Sequence, residues 1–415
     1  MASSHVVAGD TVESRLPETQ APHPTAEPAP QRQFSPQIPP AADKLLEGPI
    51  ESYPERCEPL SSTATHLYTL SYLVFFSIFG TLARLGLQAL TFYRGAPVVT
   101  GVLWANVGGS LLMGFFLEDK NIFREEWGNP RKGNANDNND NPDRDEQIKR
   151  HKSIKKTIPL YIGLTTGFCG SFTSFSSFIR DTFLALSNDL PDPSSSASAP
   201  NGGYSFMALV AVILVEVALS LAALIFGSHL ALALGHFHLP LTIPFRLTRR
   251  FIDPLFALLG WGCWIGTILL AIFPPEGQNA WRGRAVFAIV FAPLGCVLRF
   301  YLSLLLNARI PHFPLGTFTV NILGTIILSI CYDLQRVDGV GATVLVSCQV
   351  LQGVMDGFCG SATTVSTWVA ELNGLARRLH AYIYGIMSVG AALGFFVIIT
   401  GSLRWTIGFV SPVCE

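Results

Sequence analysis

Two matching stretches, Gly167–Phe178 (GFCGSFTSFSSF) and Gly357–Trp368 (GFCGSATTVSTW), decide how this chain folds. Both pack glycine, serine, threonine and aromatic residues too densely for a regular helix, and consecutive hydroxyls beside a glycine indicate a helix that breaks. Both also lie inside long apolar runs. Non-helical backbone at membrane depth is tolerated only where it is buried in protein or lines a cavity. The sequence therefore predicts two broken membrane helices.

The composition around these stretches is that of a membrane protein. The 415 residues are 49% hydrophobic and 14% charged, whereas soluble proteins carry about 25% charged residues. The apolar runs match the ~20 residues that cross a bilayer, and a net charge of −1 gives no basic field for phosphate. This excludes a soluble enzyme and a nucleic-acid binder. Nine spans are predicted, near residues 67–93, 98–117, 158–186, 205–235, 251–273, 285–308, 316–334, 343–372 and 382–403.

Three motifs recur in the same order in the two halves of the chain. A Gly-x-x-x-Arg start ends at Arg84 and at Arg299, and Asn106 and Asn321 sit in the following span, each pair offset by 215 residues. The two broken stretches are offset by 190 because the first half carries a long insert. Four spans, one connector and four more spans predict an inverted repeat of the kind found in transporters.

The loops set the expected orientation and the domain limits. With the N-terminus inside, internal loops hold sixteen lysines and arginines and external segments hold five, which favours a cytoplasmic N-terminus and an external C-terminus. The domains are a disordered tail, a first four-helix repeat with a hydrophilic loop, a connecting helix and a second, inverted repeat. Their limits are 1–66, 67–235 (loop 118–157), 251–273 and 285–403. No metal-binding spacing joins the eight cysteines, so they are predicted to be small apolar residues.

Polar groups at membrane depth are the candidates for function. The amides of Asn106 and Asn321 donate hydrogen bonds, either to an ion or as interhelical glue. Hydroxyls and aromatic ring edges carry positive partial charge and suit a small anion, while carbonyls freed by a helix break suit Na⁺. Arg84 and Arg299 either snorkel at an interface or attract anions to a vestibule. For Glu216 we expect a structural role, paired or protonated.

Together these motifs resemble the Fluc/CrcB fluoride channel family, and the fused halves resemble its eukaryotic branch, over residues 67–403. The resemblance implies an all-α fold of nine transmembrane helices in two inverted four-helix repeats, with a broken third helix in each. It implies passive, selective export of fluoride across the plasma membrane by a single fused chain, with no enzymatic activity. The expected partners are fluoride and the lipid bilayer, without nucleic acid.

The same resemblance implies residue roles. Ten residues are expected to line the pore: Asn106, Asn321, Phe175, Phe178, Ser176, Ser366, Thr364, Trp368, Tyr384 and Ser388. Four backbone carbonyls are expected to bind a structural Na⁺: Gly170, Thr173, Gly360 and Thr363. The chain departs from the family where Val365 and Trp368 replace two phenylalanines and where Glu216 replaces a frequent tyrosine. One path would pair Phe175 with Trp368 and the other Val365 with Phe178, and we expect the first to conduct.

Two other functions stay open at this point. A proton-coupled anion antiporter needs a titratable group in the membrane, and Glu216 is the plain candidate, although it lacks a repeat partner. An intramembrane aspartyl protease would use Asp181 and Asp356, whose carboxylates would have to share one site.

Overall fold

The computed structural model describes residues 62–93, 98, 100–123, 153–191, 202–236, 243–244, 247–274 and 282–414. Within these ranges the elements are helical and no strand occurs, which confirms the all-α class. The predicted tail lies outside the described residues up to position 61. Most of the predicted loop 118–157 and the centre of the segment 187–204 also lie outside them.

The helices follow the predicted spans closely. In chain order they are α1 Ser62–Thr91, α2 Leu103–Glu118, α3 Pro159–Ile162, α4 Gly170–Phe172, α5 Phe175–Ser187, α6 Gly202–His236, α7 Asp253–Ile272, α8 Phe287–Leu306, α9 Leu315–Gln335, α10 Leu345–Gly353, α11 Gly360–Ala362, α12 Ser366–Gly374, α13 Arg378–Phe396 and α14 Ser402–Thr406. A π-helical segment, Gly163–Cys169, joins α3 to α4, and Val354–Cys359 joins α10 to α11.

Six helices of the described part are long and apolar enough to cross a bilayer. They are Ser62–Thr91, Gly202–Gly235, Thr248–Ile272, Phe287–Leu306, Leu315–Gln335 and Arg378–Thr406. The other three predicted spans coincide with the 16-residue α2 and with two interrupted segments, which are not among these six. The interruptions lie where the sequence predicts them, because Thr173, Ser174 and Thr363 adopt extended backbone.

Glycines bring α2 and α6 into direct backbone contact. A Cβ on Gly114 would lie 1.9 Å from the carbonyl oxygen of Leu224, and one on Gly227 would lie 1.9 Å from that of Leu111. Asn106 of α2 contacts Glu216 of α6, and Gly114 contacts Leu224 further along both helices. The two helices therefore run parallel. Small residues at helix contacts are the usual packing device where lipid gives no hydrophobic drive.

The connector α7 lies against α1 and the start of α8. Trp261 donates its indole N–H to Ser71 Oγ at 3.0 Å, and Trp264 donates to the carbonyl of Val290 at 2.9 Å. The opposite side of α7 is exposed, for example at Leu258. A helix that is apolar and exposed on one side is expected to face lipid.

A disulfide joins Cys348 at the start of α10 to Cys414 at the chain's end. The prediction that the cysteines are small apolar residues is wrong for this pair. The expectation failed because 66 residues separate the two, so no local spacing reveals the pair. Arg404 holds the same terminal region through an ion pair with Asp189 at 2.6 Å.

Candidate functional site

The two helix breaks bind each other through hydroxyl groups at the centre of the molecule. Thr173 Oγ1 lies 3.1 Å from Ser366 Oγ, and Thr363 Oγ1 lies 3.0 Å from Ser176 Oγ. The backbone N–H of Ser366 donates to Thr173 Oγ1, and that of Ser176 donates to Thr363 Oγ1. Thr364 Oγ1 joins the group 3.1 Å from Thr173 Oγ1. All five side chains are buried, so each break completes the hydrogen bonding of the other.

Two arginines cross between the halves in the same reciprocal way. Arg299 donates to the carbonyl of Thr166 at 2.6 Å, and Arg84 donates to the carbonyl of Asp356. Thr166 and Asp356 are equivalent positions, 190 residues apart. Both guanidinium groups are almost fully buried. Of the alternatives given above, snorkelling at an interface does not describe this placement.

Glycine makes room for each guanidinium group. A Cβ on Gly170 would lie 2.0 Å from an Arg299 nitrogen, and one on Gly360 would lie 2.1 Å from an Arg84 nitrogen. Any larger residue at these two positions would displace the arginine. The glycines of the repeated motif are therefore needed for this close approach.

The two repeat asparagines each cap a broken helix. The side-chain oxygen of Asn106 accepts the backbone N–H of Ser174 at 2.9 Å, and that of Asn321 accepts the N–H of Thr364 at 2.9 Å. These N–H groups would otherwise close helical bonds to the carbonyls of Gly170 and Gly360. The asparagine oxygens therefore have the same structural role in both halves. The acceptors of the amide N–H groups differ between the halves.

The residues expected to bind Na⁺ have the right donor atoms. The N–H of Ser177 donates to Ser174 Oγ and that of Thr367 to Thr364 Oγ1. These bonds divert the helical donors from the carbonyls of Thr173 and Thr363, as the asparagines do for Gly170 and Gly360. Carbonyl oxygens released in this way are hard ligands of the kind that a small cation takes.

The amide N–H groups of the two asparagines have different partners. Asn106 donates to Glu216 Oε2 at 3.1 Å, whereas Asn321 donates to the carbonyl of Thr364 at 3.3 Å. Glu216 is 2% exposed, and its Oε1 has no partner within the described part of the chain. Of the two roles left open for Glu216, the structure favours pairing, with Asn106 as the partner.

The aromatic residues of the motif meet in one buried cluster. Phe175 contacts Trp368 edge-to-face, with 5.3 Å between the ring centroids. Phe175 also contacts Phe178 edge-to-face, with 5.7 Å between the ring centroids. Helix α5, which carries both phenylalanines, packs against α9 and α13. Helix α12, which follows Val365, packs against α2 and α6. Each half therefore sends its post-break helix into the other half.

The polar residues of α13 lie beside a carboxylate that the sequence analysis missed. Tyr384 donates its hydroxyl to Glu371 Oε2 at 2.7 Å, and Thr317 donates to Glu371 Oε1 at 2.7 Å. Ser388 donates to the carbonyl of Tyr384 at 2.7 Å. The available signal was the spacing of Glu371 three residues after Trp368, which puts both on neighbouring faces of one helix turn.

A cavity of about 440 Å³ opens beyond the arginine crossing. Its charged lining is Arg180, Arg336, Asp181 and Asp356, and Gln335 and Gln352 are among its other residues. Arg180 pairs with Asp181 at 2.9 Å, and Gln352 donates to Asp356 Oδ2 at 2.7 Å. The two carboxylates thus have separate partners, unlike a catalytic dyad. No sequence motif predicts this cavity, because five separate segments of the chain form it.

Comparison with known proteins gives a consistent result. The family model described as CrcB-like protein, Camphor Resistance (CrcB), matches residues 71–228 and 286–402. Fluoride export protein 1 of Neurospora crassa is 54% identical over 86% of this chain and 70% of its own length. Fluoride export protein 1 of Candida albicans is 34% identical over 84% and 83%. Fluoride-specific ion channel FluC of Chlorobium luteolum is 32% identical over 25% of this chain and 77% of its own. No solved structure matches this chain.

Proposed function

We propose a function from the premise that this chain belongs to the CrcB-like family. The chain is a fluoride-selective channel that passively exports cytoplasmic fluoride across the plasma membrane and so gives fluoride resistance. HF enters cells uncharged, ionises in the neutral cytoplasm and is trapped as fluoride. A negative-inside potential then drives the anion out by about 2.3 kcal/mol per charge per 100 mV.

The reciprocal arginine contacts are the observation that carries this proposal. Arg84 reaches the second broken helix as Arg299 reaches the first. Such self-complementary contacts are those of a two-fold interface. They support two inverted four-helix repeats joined by α7 in one chain, with nine crossings, acting as a pseudo-dimer. In this architecture both arginines hold the broken helices together.

We assign the conducting path to the side of α9, α13 and α5. It would be lined by Asn321, Tyr384, Ser388, Phe175 and Trp368. Amide N–H and ring-edge hydrogens would replace the water around a small anion without a fixed positive charge. Ser176, Ser366 and Thr364 would line its centre.

The other path runs along Asn106, Val365 and Phe178, and we propose that it does not conduct. Val365 offers no ring edge where the conducting path has an aromatic residue. In this path the amide of Asn106 donates to the buried side chain of Glu216, whereas that of Asn321 donates to a backbone carbonyl.

We propose that a structural Na⁺ binds the carbonyls of Gly170, Thr173, Gly360 and Thr363, whose usual helical N–H donors bond elsewhere. Bound there, Na⁺ would supply a positive charge that holds the two breaks together. The chain itself supplies the other links, which are the threonine and serine hydroxyls between the breaks.

The orientation follows from the loops and the disulfide. Positive charge favours a cytoplasmic N-terminus. A disulfide forms and persists on the oxidising side of a membrane, and Cys414 lies at the C-terminal end. We therefore propose an external C-terminus.

The decisive experiment is efflux from liposomes that contain the purified chain. We expect fluoride to leave when an ionophore sets a permissive potential, and chloride to stay. Equal chloride efflux would overturn the selectivity, and fluoride flux that follows the proton gradient instead of the voltage would indicate the antiporter.

A further inference from the structure

Trp368 carries a buried hydrogen-bond donor without a partner. The side chain is 1% exposed, and its indole N–H meets no acceptor within the described residues. An indole N–H can only donate. Leaving such a donor unpaired in the interior costs about 1–3 kcal/mol, so a group of this kind calls for an acceptor that is present when the protein works.

The two tryptophans of the connector α7 do not share this feature. Trp261 donates to Ser71 Oγ, and Trp264 donates to the carbonyl of Val290. Both lie in the connector and both are partly exposed. The unpaired donor is thus found at the deeply buried tryptophan, in the aromatic cluster beside the helix break.

The indole of Trp368 lies against α13 at Gly385, which has no side chain. A Cβ on Gly385 would lie 4.0 Å from Cζ2 of the indole, the carbon next to the nitrogen-bearing edge. Tyr384 and Ser388, on the same helix, are fully buried. The Ser388 hydroxyl is directed to the carbonyl of Tyr384 and the Tyr384 hydroxyl to Glu371, so neither donates to a ligand in this arrangement.

The chemistry around the indole favours an anion over water. Phe175 meets Trp368 edge-to-face, and aromatic ring edges carry positive partial charge. Water would need two to four polar partners, whereas a small anion needs only donors and positive edges. The carboxyl group of Glu371, one turn away, accepts hydrogen bonds from Thr317 and Tyr384 on its two oxygens.

The other half of the chain provides an internal comparison. Phe178 occupies the position equivalent to Trp368, 190 residues earlier. It has a ring edge of similar polarity but no N–H group. The donor is therefore a property of one of the two paths.

We propose that the indole N–H of Trp368 donates a hydrogen bond directly to fluoride in the conducting path. This inference rests on the proposed function and adds to it a residue-specific ligand. A hydrogen bond to a charged group is stronger than one between neutral groups, and the anion would satisfy the donor that the protein leaves open.

The test is magnetic resonance of the full chain in lipid nanodiscs, with tryptophan labelled at the indole nitrogen. The chain has seven tryptophans, and the variant Trp368→Phe identifies the relevant signal by its loss. We expect sodium fluoride to move this indole proton signal downfield in a saturable way, and equal sodium chloride to leave it unmoved. Absence of a fluoride-specific shift in protein that exports fluoride would overturn the inference.

Efflux on the same preparations separates this inference from the proposed function. Trp368→Phe keeps a ring and should slow fluoride efflux by about tenfold or more, as expected for loss of one hydrogen bond to an ion. Trp261→Phe removes a peripheral indole N–H and should leave efflux unchanged. Failure of the unaltered chain to export fluoride would overturn the proposed function itself. Unchanged efflux in Trp368→Phe would overturn the role of the N–H.

Discussion

The hydroxyl oxygens of Thr173 and Ser366 lie 3.1 Å apart although 193 residues separate them in the chain. Thr363 and Ser176 repeat this contact in reverse at 3.0 Å. Each threonine hydroxyl also accepts the backbone N–H of the facing serine. Neither break is therefore satisfied by its own half, and the first helix turn after each break depends on the other half.

Thr173→Val, which keeps the side-chain shape, should lower thermal stability and fluoride efflux together. The substitution leaves the N–H of Ser366 without its acceptor, at a cost of about 1–3 kcal/mol. The measurement is the thermal unfolding midpoint in detergent, followed by liposome efflux. Thr406→Val, at an exposed helix end, is the matched control. An unchanged midpoint for Thr173→Val would mean that the hydroxyl contact contributes nothing to assembly.

Arg299→Lys should destabilise the protein although it preserves the charge. Arginine donates in two directions here, to the carbonyls of Thr166 and Ser361, and a lysine ammonium cannot reproduce that planar geometry. We expect a lower unfolding midpoint and a loss of folded yield. Arg309→Lys, on an exposed site, should behave as the unaltered chain. Equal midpoints for both variants would contradict the crossing role of Arg299.

Phe175→Ala should abolish most fluoride efflux, and Phe178→Ala should reduce it mildly. Phe175 contacts Trp368 in the path that we propose to conduct, whereas we assign Phe178, which also contacts Phe175, to the path with Val365. Growth of cells on fluoride and liposome efflux both measure the difference. The opposite order would show that the conducting path is assigned wrongly, and equal partial losses would mean that both paths conduct.

Asn321→Asp and Asn106→Asp should fail for different reasons. Aspartate at 321 keeps the oxygen that caps the break but places a negative charge in the conducting path, so efflux should fall with little loss of stability. Aspartate at 106 would remove the N–H that donates to Glu216 Oε2, 3.1 Å from Asn106 Nδ2, and would place a second acidic group there, so the unfolding midpoint should fall as well.

The double variant Asn106→Asp with Glu216→Gln tests this explanation. Glutamine at 216 supplies an amide N–H to the aspartate at 106, which restores a hydrogen bond between the two positions. The unfolding midpoint should therefore recover toward that of the unaltered chain, while Asn321→Asp stays inactive. No recovery in the double variant would show that the Asn106–Glu216 contact does not govern this position.

Cys414→Ser should lower the unfolding midpoint and be mimicked by an external reductant. A disulfide that closes a loop of this length removes about 4 kcal/mol of unfolded-state entropy in the chain-entropy treatment. Cys331→Ser, at a free and buried cysteine, is the control that keeps the disulfide, so reductant should lower its midpoint as in the unaltered chain, whereas Cys414→Ser should no longer respond. A midpoint for the unaltered chain that is insensitive to reductant would contradict the bond between Cys348 and Cys414.

The sequence by itself determined the helical class, the positions of the spans and the two breaks. These follow from local physics: an apolar run of bilayer length must be helical, and the crowded glycines and hydroxyls at Gly170–Phe178 interrupt it. The internal repeat also determined which residues are equivalent. Motifs in the same order in both halves pair Arg84 with Arg299 and Asn106 with Asn321 before any contact is known.

Only the tertiary structure decided which groups satisfy one another. Arg84 and Arg299 bind carbonyls of the opposite half, Asn106 meets a carboxylate 110 residues away, and Cys348 meets the chain's last described residue. Asn106 and Asn321 occupy equivalent positions in the repeat, but their amide N–H groups donate to different acceptors in the structure. Such partners depend on how helices pack around the two breaks, and helical periodicity constrains which face a residue occupies without specifying which helix will cover it.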